Sequence, residues 1–179
     1  MKIGSVYNMI VSAPYDARTV ANKLLDLADR SSVGLTQVSL LKLIYFAHGW
    51  YLSTRDKPFI AQDFEAWKYG PVVKVVRDQF KEYGKNCIKS RAFRLDILTG
   101  ELLEVSADMA ENDKDFLLNI YRAYHVYDAW QLSKMTHEQG SPWDKVWNSP
   151  EPLGRVALRI PNRDIKAHFD GLSRRFPVS

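Results

Sequence analysis

Apolar residues at the start of the chain recur at helical spacing. Behind Asp16, suited to cap a first turn, Val20, Leu24, Leu27 and Ala28 share one side of a helix predicted from about Ala17 to Arg30, and Gly34 breaks it. Thr36 caps a longer helix, with Leu35 and Leu40 at the two ends of a hydrophobic staple. In that helix Leu40, Leu41, Leu43, Ile44, Tyr45, Ala47, His48, Trp50, Tyr51 and Leu52 cover more than half the circumference. Ser39, Lys42, Gly49 and Ser53, with Phe46 among them, fill the remaining arc. So apolar a helix belongs near the centre of the molecule.

The next pattern is mixed. Phe64 to Phe80 sets an aromatic-rich segment against Gly70-Pro71 and then a helical repeat. Pro71 suits a first helical turn, with Gly70 as its cap, and the helix places Val72, Val73, Val76, Phe80 and Tyr83 on one face. Lys74, Arg77 and Lys81 lie beside that face, and Gly84 ends the helix. Before it, Glu65, Trp67 and Tyr69 alternate with Phe64, Ala66 and Lys68. An extended segment would put both rings on one side, so Trp67 and Tyr69 are expected as a buried plug against the central helix, near Trp50 and Tyr51.

Farther along, residues 93–105 read as two short strands around a Thr99-Gly100 turn, followed by a helix from about Asn112 to His125. Asp128 and Gln131 form a capping box for a helix ending near Gln139. Ser141-Pro142-Trp143-Asp144 repeats the start signal, and a last helix is expected from Asn162 to Leu172. The expected fold class is mainly α: a compact single helical domain with a small β-hairpin element.

Composition narrows the picture modestly. The 179 residues suffice for one complete core, and the net charge of +4 is too small to announce a nucleic-acid binder. Locally the balance swings. Residues 81–94 carry Lys81, Lys85, Lys89, Arg91 and Arg94 against Glu82, whereas residues 101–115 carry six acids against Lys114. The tail is basic again through Arg155, Arg159, Arg163, Lys166, Arg174 and Arg175. Such runs are usually solvated faces. A single cysteine, Cys87, excludes an internal disulfide and fits a reducing compartment. The first residues are too broken and short in their apolar pattern for a signal peptide or membrane span, so a cytoplasmic location without membrane contact is expected.

Enzymatic signatures are missing. His137-Glu138 begins a zinc-protease pattern whose second histidine is replaced by Ser141, and single glycines do not make a phosphate loop. Cys87 has no nucleophile signature around it. No metal, cofactor or catalytic residue is assigned. His48 reads as a buried, satisfied histidine on the central helix, and His137 sits near a helix C-terminus where an imidazolium favours the dipole. The five tryptophans, Trp50, Trp67, Trp130, Trp143 and Trp147, fall in three blocks and are expected to form a shared aromatic core, the competing reading being a partner groove.

Those blocks also carry a resemblance. Leu41-Lys42-Leu43 with Tyr45 to Tyr51, then Glu65-Ala66-Trp67 with Tyr69-Gly70-Pro71-Val72, then Leu132, Thr136-His137 and Pro142-Trp143 are similar to the Panacea domain family of SocA-like antitoxins and GepA-type phage-associated proteins. The likeness divides the chain into an N-terminal extension, residues 1–14, the domain, residues 15–172, and a C-terminal tail, residues 173–179. It implies a non-enzymatic antitoxin that neutralises a cognate protein toxin by direct contact, with an adaptor role toward an AAA+ protease in one branch. His48, Trp50, Trp67, Tyr69, Gly70 and Pro71 are its structural motif. Lys68, Lys74, Arg77, Lys81, His137 and Trp143 are the expected partner-binding residues. Two alternatives stand beside this reading: a nucleic-acid binder using residues 81–94 and the basic tail, and a hydrolase built on His48 and His137.

Overall fold

A computed structural model of the protein describes residues 11–149 and 158–175. Its elements run α1 (Ala17–Arg30), α2 (Gln37–Arg55), β1 (Phe64–Trp67), β2 (Gly70–Val72), α3 (Lys74–Phe80), a 3₁₀ turn (Lys81–Tyr83), β3 (Phe93–Leu95), β4 (Leu102–Glu104), α4 (Glu111–Tyr124), α5 (Ala129–Thr136), α6 (Pro142–Trp147), β5 (Arg159–Ile160) and α7 (Asn162–Arg175). The fold is mainly α, one domain around one apolar cluster.

The local start signals act where the sequence places them. The Asp16 carboxylate accepts the Arg18 N–H at 2.8 Å, and Thr36 Oγ1 accepts the Ser39 N–H at 3.2 Å. Asp128 and Gln131 close a reciprocal capping box, and Ser141 caps α6 ahead of Pro142. α5 ends at Thr136, short of Gln139, because His137 serves as its C-cap. The β3–β4 hairpin turns at Gly100, whose φ of +73° only glycine adopts freely.

α2 is the centre. Every residue from Ser39 to Gly49 is buried, and α1, α3, α4, α5, α7 and β2 all pack on it. No polar arc survives: Phe46 stacks on Tyr124 at 4.2 Å between ring centres, and Lys42 is only 1% exposed. α7 approaches α2 most intimately at Gly49, where a Cβ atom would stand 2.2 to 2.4 Å from three ring atoms of Phe169. Glycine there lets the Phe169 ring lie on bare helix backbone.

Three long-range polar anchors fix the surrounding elements. The buried Asp113 carboxylate of α4 accepts hydrogen bonds from Tyr15 Oη at 2.7 Å and Tyr51 Oη at 2.9 Å. The fully buried His48 accepts the Ile60 N–H at Nδ1 (3.3 Å), and its Nε2 donates to Asn162 Oδ1 at 2.9 Å, tying α2 to the start of α7. Burial holds the imidazole down at about 4, so it is neutral. The buried Asn22 of α1 bonds both ends of the β3–β4 hairpin, through Ala92 and Val105.

One part of the sequence reading is corrected. Gly70-Pro71 does not begin a helix. It forms the edge strand β2, antiparallel to β1, with β5 on the far side in the order β2-β1-β5. The helix starts at Lys74, behind Val73. Proline is tolerated there because Ala66, its partner across the ladder, sends its own N–H the other way, to Leu158 O at 2.6 Å. The Ala66–Pro71 pair therefore exchanges no bond, and the missing proline N–H costs nothing. The N-terminal extension is described only from Val11, which bridges Met109 and donates its N–H to Asp108 O; residues 1–10 and Arg155 lie outside the described residues.

Two stability measurements check this account. Gly49→Ala should cost about 3 kcal/mol in denaturant unfolding, and pairing it with Phe169→Leu should recover part of the loss. Strict additivity would place the strain elsewhere. For His48 the unfolded imidazole takes up its proton near its ordinary 6.5 while the folded one resists to about 4, so stability falls as pH drops through that window. His48→Gln should shrink that acid-side loss, and an unchanged pH profile would contradict the assignment.

Candidate functional site

The surface around the β1–β2 turn collects most of the residues singled out in the sequence. Trp67 and Gly70 pair across the turn, leaving Lys68 and Tyr69 at its tip. Gly70 has φ +97°, a conformation that glycine alone adopts without strain, and a Cβ there would meet Thr136 Oγ1 at 2.6 Å and Lys42 Nζ at 2.7 Å. Conformation and space both require glycine.

Beneath the turn lies the buried lysine. Lys42 Nζ donates to Pro71 O at 3.0 Å, and burial pushes its pKa down to about 7. The sequence reading placed Lys42 with Ser39, Gly49 and Ser53 on the arc that the apolar residues of the central helix leave over. Nothing in the helical pattern announces that a strand carbonyl waits above it.

The turn is held from the side as well. Trp143 Nε1 donates to Trp67 O at 2.8 Å, and Ser133 Oγ donates to Tyr69 O at 3.2 Å. His137 meets the Trp143 ring edge-on at 3.9 Å between ring centres, with its Nδ1–H on Ser133 O at 2.6 Å. Trp143 also stacks on Trp147. Trp143 is buried, so what it offers the surface is position.

The strand phase is opposite to the expected one. Phe64 and Ala66 point into the core, while Glu65 and Trp67 lie half-buried on the outer side. Tyr69 is 63% exposed, not a plug. Trp67 donates its indole N–H to Glu65 at 2.8 Å and lies under the Arg77 guanidinium at 5.2 Å, whereas Trp50 packs elsewhere, on Phe169 and Tyr124. The cause is the central helix: Phe64 packs on Tyr45 and His48 of α2, which covers the Phe64 and Ala66 face. The shared tryptophan core is likewise corrected, since Trp130 is 70% exposed and Trp147 is also exposed.

Lys68, Trp67, Tyr69, Arg77, His137 and Trp143 thus form one connected patch. Lys68 Nζ sits 5.4 Å from the Tyr69 ring centre. Lys74 and Arg77 both pair with Asp78, which neutralises much of the expected basic strip and holds the Asp78 carboxyl below its usual range. Lys81 stands beyond α3, exposed in the 3₁₀ turn that follows it. Sequence reasoning missed Lys134, which covers the exposed Trp130 at 5.4 Å one turn along from Ser133. It also missed a recess of about 430 Å³ lined by Phe46, Trp50, Tyr124, Met135 and Phe169.

The buried amine yields a pH prediction. Unfolded, Lys42 keeps its proton up to its ordinary 10.5; folded, it releases the proton near 7. The unfolded state binds more protons between those values, so the penalty of burying the amine is full below 7 and fades as pH rises. Unfolding free energies compared across that window should shift in favour of the wild type over Lys42→Met as pH increases. Parallel curves would overturn the assignment.

Comparison with known proteins covers the same segments of the chain. Residues 40–144 match the family model of the antitoxin SocA-like, Panacea domain, a span that takes in α2, the β1–β2 turn and the α5–α6 corner. The chain is 37% identical over 154 residues to the Antitoxin SocA of Caulobacter vibrioides (strain NA1000 / CB15N), covering 86% of this chain and 82% of that protein. No solved structure matches. The residues that hold the turn, Lys42, Gly70, Pro71, Thr136 and Trp143, all fall inside the matched span, and the chain belongs to the SocA-like, Panacea-domain antitoxin family.

Proposed function

We propose that the protein is an antitoxin that neutralises a cognate protein toxin by binding it, not by catalysis, through the patch built on the β1–β2 turn. The observation that carries this reading is Tyr69. A large aromatic ring stands largely exposed beside Lys68, on a turn fixed from below by Lys42 and from the side by Ser133 and Trp143. A rigid, exposed aromatic with an adjacent cation loses little entropy on binding and gives affinity and orientation together. Lys68 with Trp130 and Lys134 extends the same chemistry, aromatic faces under ammonium groups, toward a partner with carboxylates around an apolar centre.

The nucleic-acid reading is weaker. Arg91 is committed to Asp26 and Asp29, Arg159 to Asp63, and Lys166 to Asp56 and Asp170. Cations engaged inside the molecule release few counterions on meeting phosphates. The adaptor form of the reading adds a second step, delivery of the bound toxin to an AAA+ protease, and it implies a shorter toxin half-life in cells that carry this protein.

The test begins with the gene beside this one, cloned for toxicity and rescue by co-expression. Lys68→Glu with Tyr69→Ala should weaken binding of that toxin by about tenfold or more and abolish rescue, with the melting temperature nearly unchanged. Arg77→Glu should do less to binding and more to stability, because Arg77 covers Trp67. Full rescue by the Lys68→Glu, Tyr69→Ala variant would remove this surface from the reading.

A further inference from the structure

The β3–β4 hairpin lies outside the patch just described, and its construction is unusual. Its base is locked. Asn22 Oδ1 accepts the Ala92 N–H at 2.7 Å, and Asn22 Nδ2 donates to Ala92 O at 3.1 Å and Val105 O at 2.9 Å. Next to Ala92, Arg91 is clamped by Asp26 and Asp29 of α1. Beyond the base every residue of both strands is exposed.

Exposure falls on the wrong residues for an ordinary loop. Leu95 is 59% exposed, Ile97 90%, Leu98 92% and Leu102 69%. The tip is nevertheless ordered: Asp96 accepts the Leu98 N–H at 2.9 Å with its side chain and the Gly100 N–H at 2.7 Å with its carbonyl. A two-stranded ribbon with no covered face is marginal on its own, and clustered exposed aliphatics mark a contact surface.

Two features define what would cover it. The first is a free edge. Among the described residues the sheet holds only β3 and β4, and the bonds Val105 N–H to Ala92 O and Asp96 N–H to Glu101 O fix the alternation of its ladder. By that alternation the backbone groups of Phe93, Leu95, Leu102 and Glu104 point outward. Gln79 takes the Phe93 N–H at 2.7 Å, whereas among the described residues the outward backbone groups of Leu102 and Glu104 on β4 have no hydrogen-bond partner. The second feature is charge. Asp96, Glu101 and Glu104 rim the aliphatic cluster, and among the described residues no cation forms an ion pair with any of them. Arg94, the one cation of the two strands, is close enough to Asp16 to favour its carboxylate.

We infer that the β3–β4 hairpin is a docking arm, onto whose β4 edge an extended protein segment with alternating aliphatic residues and flanking lysine or arginine adds as a third strand. Main-chain bonds to Leu102 and Glu104 set the register, the aliphatic side chains cover Leu95, Ile97, Leu98 and Leu102, and the flanking cations meet Asp96, Glu101 and Glu104. The arm is separate from the Lys68–Tyr69 patch, so this inference stands or falls independently of the antitoxin reading.

The probe is a fluorescent, end-blocked peptide of alternating valine and threonine with lysines at both ends, compared with the same peptide carrying glutamates there. Anisotropy titrations with the full chain should give binding of the lysine-flanked form only. Ile97→Ser with Leu98→Ser should weaken it by about tenfold, with the melting temperature kept. Glu101→Lys with Glu104→Lys should reverse the preference toward the glutamate-flanked peptide, a result that mere loss of apolar surface would not give. No binding to either peptide, or equal binding to both, overturns the inference. So does a dimer of the free protein that the Ile97→Ser, Leu98→Ser variant converts to monomer, because the arm would then serve a second copy of this chain.

Discussion

A helix surrounded on every side has no solvent to satisfy its polar side chains, and this constraint governs the molecule. α2 carries Lys42, His48 and Tyr51 within such a helix, and each must find a partner in another element. Lys42 takes the Pro71 carbonyl of the edge strand, His48 takes the Ile60 N–H and Asn162 at the head of α7, and Tyr51 takes Asp113 of α4. Leaving any of these buried groups unpaired would cost on the order of 1–3 kcal/mol. The same three bonds that avoid that cost determine where β2, α7 and α4 sit. Apolar packing supplies the driving force but tolerates sliding; the buried polar pairs do not.

The candidate binding surface inherits its rigidity from this arrangement. Pro71 is usable in β2 because its strand neighbour directs bonds elsewhere, and its carbonyl is thereby free for Lys42. Gly70 then passes over Lys42 and Thr136 at a distance no side chain allows, which throws Lys68 and Tyr69 outward. Trp67, on the outer side of β1, joins the turn to α3 through Arg77 and to α6 through Trp143. A partner meeting Tyr69 thus meets a ring carried on backbone that was fixed when the core formed. Binding spends little on ordering it.

Electrostatics is divided between two surfaces of the molecule in a way the net charge conceals. Around the β1–β2 turn, aromatic rings sit beneath ammonium and guanidinium groups; on the hairpin arm, aliphatic residues sit within a rim of carboxylates. Many of the basic residues that looked available in the linear chain are consumed internally, Arg91 and Lys166 by two acids each. A charge counted in a sequence is not a charge offered to a partner.

Local chemistry was readable in the chain: the caps Asp16, Thr36, Asp128 and Ser141, the β-turn at Gly100, and the burial of His48 on an apolar helix all depend on neighbours within a few residues. The family motifs pointed to the same central helix and turn. Three things were decided only by tertiary structure. Gly70-Pro71 became a strand because β1 offered it a ladder and the buried Lys42 of α2 took the Pro71 carbonyl, a combination that a local helix start could not match. The packing of Phe64 on Tyr45 and His48 of α2 set which face of β1 turned inward, exposing Tyr69 and leaving Trp67 at the rim, since a period of two has no preferred phase until one face is covered. Lys42 was buried because a carbonyl from a distant strand met it, and an amine's burial follows from its partner, which no periodicity along its own helix reveals.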